Sequence, residues 1–223
     1  MAFLVWQARA AEPMLPPAFF RSRAFSAGNA AGFLLTAALF GAVFLLAQFM
    51  QAAFGSGPLL AGLRLLPWTA TLFLVAPVAG RLADRVGERP LIVTGLALQA
   101  AGLFWVSRAG AGTVQYTDLV APLVVAGCGV SMAMPATQSA TIGALPPGAV
   151  GVASGVYSMM RQLGGVVGVA AVAAVFASAG FGRALAMCGV LSLLGALAGL
   201  FVRREAAASA VAARADAGVR EAV

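Results

Sequence analysis

Few side chains in this sequence could do chemistry, and the residue types that are missing exclude several kinds of site. The chain has 14 arginines and 7 acidic residues but no lysine and no histidine. Without histidine it cannot build a histidine-dependent catalytic triad or an imidazole metal site. Without lysine it cannot build a phosphate-binding loop that ends in lysine. Cys128 and Cys188 each lie inside an apolar run, without metal-ligand or disulfide spacing, so we expect no cofactor and no metal.

The densest group of charged residues is the segment 80–90, a tight loop between two apolar runs. We expect Gly80 to let two helices approach closely and Gly87 to allow a turn with positive φ. Pro90 suits the first turn of the following helix. Asp84 would then lie among three arginines at a helix end. The same residues are consistent with a solvated loop whose charges only fix the topology of the chain.

Arg161 is the one charged residue deep inside an apolar run. It follows the turn at residues 146–148 by about a dozen residues, which is ~20 Å along a helix. Burying an ion in a membrane costs roughly 3 kcal/mol or more unless the ion is paired or reaches water, so such a residue is by default a candidate for function. The equal alternative is that Arg161 pairs with backbone carbonyls or a polar neighbour and locks helices together.

Polar residues near Arg161 could line a cavity. Tyr157 precedes Arg161 by four positions, so the two share a helix face. Gln138 is expected on a facing helix, and Gln162 adjoins Arg161 in sequence. The alternative is interhelical hydrogen bonding, worth about 1 kcal/mol per bond. Other polar residues inside apolar runs have the same two interpretations: Asn29, Gln48, Gln51, Gln99, Thr137 and Thr141.

Long apolar runs must position these residues. Hydrophobic residues make up 61% of the chain, charged residues make up 9%, and the mean hydropathy is +0.96, whereas soluble domains carry roughly 25% charged residues. A bilayer core of ~30 Å is crossed by ~20 apolar residues in a helix. The pattern predicts an all-α membrane protein, a bundle of six transmembrane helices that glycines within the spans allow to pack closely. The predicted spans are residues 26–54, 60–82, 90–107, 118–145, 149–179 and 182–202.

The arginines outside the spans fall mostly on one side of the membrane. Ten lie at one set of helix ends and in the flanking segments, and three lie at the other set. By the positive-inside rule, the chain is a multi-pass protein of the cell membrane with both ends of the six-span segment in the cytoplasm. Nucleic-acid binding is not indicated, because the basic residues do not form one soluble patch.

Three segments divide the chain. Residues 1–25 are predicted to hold the end of a preceding helix and a cytoplasmic link, because their apolar stretch is too short for a span and comes before the basic residues. Residues 26–202 form the six-helix transmembrane domain. Residues 203–223 are predicted to be a solvated cytoplasmic tail.

The charged loop has the spacing Gly-x-x-x-Asp-Arg-x-Gly-x-Arg, which is similar to the signature loop of the major facilitator superfamily. Its residues here are Gly80, Asp84, Arg85, Gly87 and Arg89. The resemblance implies that they take part in conformational gating.

Other segments carry a closer resemblance to fourteen-span drug:proton antiporters of the EmrB/QacA type. Residues 12–29 resemble the cytoplasmic link before the ninth helix of that family. Residues 63–67 and 160–165 resemble landmarks of its later helices. The resemblance implies that the six spans correspond to helices nine to fourteen.

The resemblance also implies partners that this sequence does not contain. Family members move a small-molecule substrate through a cleft between two halves, in exchange for protons, so the expected partners are the lipid bilayer and the missing N-terminal half. No Asp or Glu lies in the interior of a predicted span, since Asp118 stands at the end of the fourth, so a coupling carboxylate would belong to the missing portion. Glu88 stands where the family loop commonly has a basic residue, which weakens a charge relay through Asp84, Arg85 and Arg89.

We therefore predict that the chain is no enzyme but part of a transmembrane transporter for proton-coupled efflux of drug-like small molecules. The alternative is a self-assembling six-span channel or a non-transporting structural membrane subunit. The alternative requires self-association, whereas the transporter requires a partner half.

Overall fold

The computed structural model describes residues 19–20, 22–109 and 115–202, which form a bundle of α-helices. The helices in order are α1 Arg23–Phe54, α2 Pro58–Arg64, α3 Leu66–Val86, α4 Glu88–Ala109, α5 Tyr116–Ile142, α6 Val150–Ala179 and α7 Phe181–Leu200. A 3₁₀ turn at Pro147–Ala149 precedes α6. The predicted preceding helix near Met1 and the predicted tail after Val202 lie outside the described residues.

All of these helices except α2 are long and apolar enough to cross a membrane. The prediction of an all-α fold with six transmembrane helices is thus confirmed over the described residues. Five of the six predicted spans start and end within a few residues of a helix.

The second predicted span differs, because residues 60–82 fall in two helices. The short helix α2 ends at Arg64, and α3 begins at Leu66. Pro67 explains the break, since proline has no backbone N–H with which to bond the carbonyl four residues earlier. The chain continues instead through Leu65, whose carbonyl accepts hydrogen bonds from the N–H groups of Trp68 and Thr69 at 3.1 and 3.2 Å.

The helix ends show ordinary turn chemistry. The side chain of Ser22 caps the start of α1 by accepting a hydrogen bond from the N–H of Phe25 at 3.4 Å. Gly55 ends α1 with φ of 58°. Gly87 joins α3 to α4 with φ of 94°, as its place in the charged loop predicted.

Helices α1 and α5 together form the centre of the packing. Helix α1 packs against α5, α6 and α7, while α5 also packs against α3 and α4. Helix α4 lies between α5 and α7. The remaining span, α3, packs mainly against α5. As a result α3 and α6 are the two spans with the largest exposed fraction.

Glycine sets the distance between α1 and α6. A Cβ atom placed on Gly164 would lie 2.7 Å from the hydroxyl of Thr36, and one placed on Gly168 would lie 2.7 Å from the carbonyl carbon of Ala37. Both distances are shorter than atomic contact allows, so the two backbones touch only because these positions have no side chain.

The close approach expected at Gly80 is not found among the described residues, since a Cβ there would meet no atom within 4 Å. The contact of α3 with α5 is closest near the other end of α3, where a Cβ on Gly127 would lie 2.7 Å from the carbonyl oxygen of Trp68. Gly80 lies on the open face of α3, while its neighbour Ala79 is buried in a cluster with residues of α4 and α5.

The glycine contact predicts opposite effects for two substitutions on α6. Gly168→Ala should lower the free energy of unfolding by about 1–3 kcal/mol, because the added methyl group meets backbone that cannot rotate away. Gly155→Ala is the matched control, since a Cβ there meets nothing within 4 Å, and alanine favours a helix by up to about 1 kcal/mol over glycine. Unfolding by sodium dodecyl sulfate in mixed micelles, followed by circular dichroism, measures both. Equal stability of the two variants would contradict this packing.

Candidate functional site

A small polar cluster lies inside the bundle where α1, α5 and α6 meet. Tyr157 of α6 is 2% exposed, and its hydroxyl lies 2.8 Å from that of Thr137 on α5. The Thr137 hydroxyl also lies 2.9 Å from the carbonyl oxygen of Ala133. One arrangement satisfies both contacts: Tyr157 donates to Thr137, and Thr137 donates to Ala133. The ring of Tyr157 is thereby fixed in one position.

Arg161 lies one turn further along α6, and its guanidinium carbon is 5.7 Å from the centre of the Tyr157 ring. This is a cation–π distance. The backbone of Arg161 is also held from α1, because the hydroxyl of Thr36 is 2.9 Å from its carbonyl oxygen. The same hydroxyl is 2.9 Å from the carbonyl oxygen of Gly32 within α1, so Thr36 can donate to either helix.

The guanidinium of Arg161 lacks an anionic partner in the described part of the chain. Its Nε atom is buried without a hydrogen-bond partner. The described acidic residues, Asp84, Glu88 and Asp118, lie at or near helix ends, while Arg161 lies roughly 17 Å from the start of its helix at ~1.5 Å per residue. The structure thus places a cation in the middle of a span, and none of the described residues puts a carboxylate beside it.

Of the residues predicted near this cation, the structure brings only Tyr157 to it. Gln138 and Gln162 are both exposed, so they lie on the outer surface of the six-helix bundle. The sequence argument missed Thr36, which contacts the backbone of Arg161. The only available signal was a hydroxyl residue in an otherwise apolar run, four positions after Gly32.

A second group of side chains lies at the ends of helices far from the charged loop. The guanidinium of Arg64 bonds the hydroxyl of Ser56 at 2.6 Å and lies 4.6 Å from the centre of the Phe54 ring. The hydroxyl of Tyr116 donates to the carbonyl oxygen of Arg64 at 3.1 Å. These contacts tie the turn between α1 and α2 to the start of α5, and periodicity alone could not predict them.

The charged loop between α3 and α4 exposes its basic residues. Arg85 and Arg89 are both exposed, and the side chain of Asp84 lies outside the described part. Glu88 is the first residue of α4, where an acidic side chain is favoured by the positive end of the helix dipole. The tight turn with positive φ at Gly87 lets α4 start directly after α3.

A shallow groove, open to the outside, lies along one face of the half of α1 that leads to Phe54. Two of its lining residues are amides, Gln48 and Gln51, and both are exposed. Its lining residues all belong to α1: Val43, Phe44, Ala47, Gln48, Gln51 and Ala52.

Comparison with known proteins agrees with this six-helix architecture. The family model described as Major Facilitator Superfamily matches residues 29–222. The chain therefore belongs to the Major Facilitator Superfamily, a family of membrane transporters, in agreement with the prediction that it is no enzyme.

Several relatives are named for drug resistance or export. The tetracenomycin C resistance and export protein of Streptomyces glaucescens is 32% identical over 177 residues, which cover 79% of this chain and 32% of that protein. The methylenomycin A resistance protein of Streptomyces coelicolor is 34% identical, over 76% of this chain and 36% of that protein. The multidrug resistance protein Stp of Mycobacterium tuberculosis is 30% identical, over 79% of this chain and 33% of that protein. The chain thus spans about one third of the length of the relatives that it matches.

The hydroxyl pair in the polar cluster can be measured directly. Tyr157→Phe and Thr137→Val should each lower the free energy of unfolding, and the double variant should lose less than the sum, with a coupling of about 0.5–1.5 kcal/mol. Detergent unfolding of the four proteins gives this value. Tyr116→Phe combined with Thr137→Val is the control, and those two effects should add. A coupling of zero for Tyr157 and Thr137 would show that the hydrogen bond does not form.

Proposed function

We propose that this chain is the C-terminal half of a drug:proton antiporter of the fourteen-span EmrB/QacA type. The observation that carries the proposal is the family match over residues 29–222, together with relatives named for resistance and export of which the matched segment covers about one third. In this proposal the six spans are helices nine to fourteen. Both ends of the six-span segment lie in the cytoplasm, in keeping with the distribution of arginine.

The second half of the transporter is the proposed partner. Substrate paths in such folds run between two halves that rock against each other. The two most exposed spans, α3 and α6, are suited to face that half. Both spans expose large apolar side chains, such as Phe73 at 82% and Val166 at 69%, so partner helices or lipid must cover them.

We assign the substrate path to α1, α5 and α6. The amides of Gln48 and Gln51 in the groove of α1 offer hydrogen bonds to a drug-like molecule inside an otherwise apolar surface. Gln138, Tyr157, Arg161 and Gln162 are the remaining proposed cavity residues; for Tyr157, the bond to Thr137 also supports a role in locking α5 to α6.

Conformational gating is assigned to the charged loop. Gly87 makes the turn, while Arg85 and Arg89 remain exposed and available to another segment. Gly80 and Asp84 complete the proposed gating loop. Proton coupling is assigned to a carboxylate supplied from outside the described residues, because none of the described acidic residues lies in the middle of a span.

Exchange of segments between proteins tests the proposed function. We expect that this chain, substituted for the matching segment of the tetracenomycin C resistance and export protein, supports resistance to tetracenomycin C and efflux of ethidium. A protonophore should abolish the efflux, and the chain expressed alone should give neither effect. Asp84→Asn in the hybrid should lower efflux several-fold, while Asp118→Asn, an acidic residue outside the charged loop, should leave it within about twofold.

Two outcomes would contradict the proposal. One is efflux by the chain alone. The other is a self-associated chain that makes vesicles leak small ions, which would support a six-span channel instead.

A further inference from the structure

Arg161, the cation in the middle of a span, is held in place by its neighbours but has no anionic partner among the described residues. The guanidinium carbon lies 5.7 Å from the centre of the Tyr157 ring, and Tyr157 is itself held by the hydroxyl of Thr137. The backbone carbonyl of Arg161 accepts a hydrogen bond from Thr36. The Nε atom is buried without a partner. We propose that Arg161 is a binding site for a carboxylate in the middle of the membrane.

The energetics favour an anion over a neutral ligand at this position. A hydroxyl or carbonyl could satisfy an N–H group but would leave the positive charge of the guanidinium uncompensated in a region of low dielectric. A carboxylate supplies both the charge and the acceptors. Its two oxygens match the planar fork of the guanidinium, which favours a bidentate contact. Its single charge also balances one arginine, whereas a doubly charged phosphate would remain half uncompensated.

The site is held in place but is not closed. Arg161 is only partly buried, so part of its side chain lies at the surface of the bundle, although its Nε atom is covered. It lies on α6, one of the two spans with the largest exposed fraction. Thr36 of α1 holds the backbone of Arg161, and Thr137 of α5 holds the ring of Tyr157 beside it. A ligand would therefore meet a group whose position is already set.

Two sources could supply the carboxylate. One is an acidic side chain of another membrane helix, which depends on the proposed function because that helix would belong to the second half of the transporter. The other is the carboxylate of a free amphipathic acid. The chemistry of the contact is the same for both, and the sources can be separated with two probes.

The first probe is benzoate, with benzamide as its uncharged equivalent of the same shape. Binding of each radiolabelled compound is measured on the complete 223-residue chain in phosphatidylcholine nanodiscs, with empty nanodiscs as background. We expect benzoate to bind at least tenfold more tightly than benzamide, because only the carboxylate compensates the charge of the guanidinium. Arg161→Gln should remove this preference, and Arg161→Lys should retain part of it. Arg64→Gln, which removes a different arginine, should leave it unchanged.

The second probe is a transmembrane peptide of leucine and alanine with a single central Asp, compared with the same peptide carrying Asn. Energy transfer between labelled peptide and labelled chain in the nanodisc reports their association. Preference for the Asp peptide that is lost in Arg161→Gln assigns the site to a side chain of another helix. Preference for benzoate alone assigns it to a free acid.

The proposal is overturned if neither probe shows a preference for the carboxylate that depends on Arg161. Equal helix content of the wild-type chain and Arg161→Gln is the control for folding. The proposal is also overturned if Arg64→Gln removes the preference as fully as Arg161→Gln does. Neither measurement involves transport, so a failure of this site and a failure of the proposed antiporter activity give different results.

Discussion

Direct contact between helix backbones at glycine is the constraint on which the rest of this bundle depends. Inside a membrane, helices gain little from the hydrophobic effect when they associate, so close packing and hydrogen bonds must hold them together. Helix α1 touches α6 at Gly164 and Gly168 with no room for a methyl group. That contact brings the hydroxyl of Thr36 within reach of the carbonyl of Arg161. The position of the mid-membrane cation therefore follows from two glycines one turn apart.

The second constraint is that polar groups inside the membrane must find partners within the protein. Most hydroxyls of the described spans do so within their own helix, as Thr141 and Ser192 do by donating to carbonyls four residues earlier. A few groups remain unpaired, among them both amide atoms of Gln99 and the Nε atom of Arg161. Only Arg161 among these carries a charge. An unpaired charge costs more than an unpaired amide, which is why this residue is the strongest candidate for a ligand from outside the chain.

The sequence was informative about the helices and less so about their contacts. Runs of apolar residues predicted six spans, because the bilayer fixes the length of a spanning helix, and the glycine of the charged loop predicted the turn at Gly87. The break at Leu65 was missed although Pro67 was visible, because a proline inside an apolar run often stays within a helix, as Pro77 does here. Which glycines touch, and which polar residues meet, depends on how helices are rotated about their axes. Periodicity could place Tyr157 beside Arg161, since both are on one helix, but not Thr36 beside them or Gln138 at the surface.

The close packing of α1 against its neighbours through glycine can be tested with a native thiol. A Cβ on Gly41 of α1 would lie 3.3 Å from the Sγ atom of Cys188 on α7. In a chain with Cys128→Ser, oxidation of Gly41→Cys in native membranes should form a disulfide with Cys188, detected by mass spectrometry and by loss of maleimide labelling. Val43→Cys, at an exposed position two residues later, should remain labelled. If the thiol at position 41 stays free and is labelled as readily as the one at position 43, Gly41 does not face α7 and α1 does not pack through glycine as described.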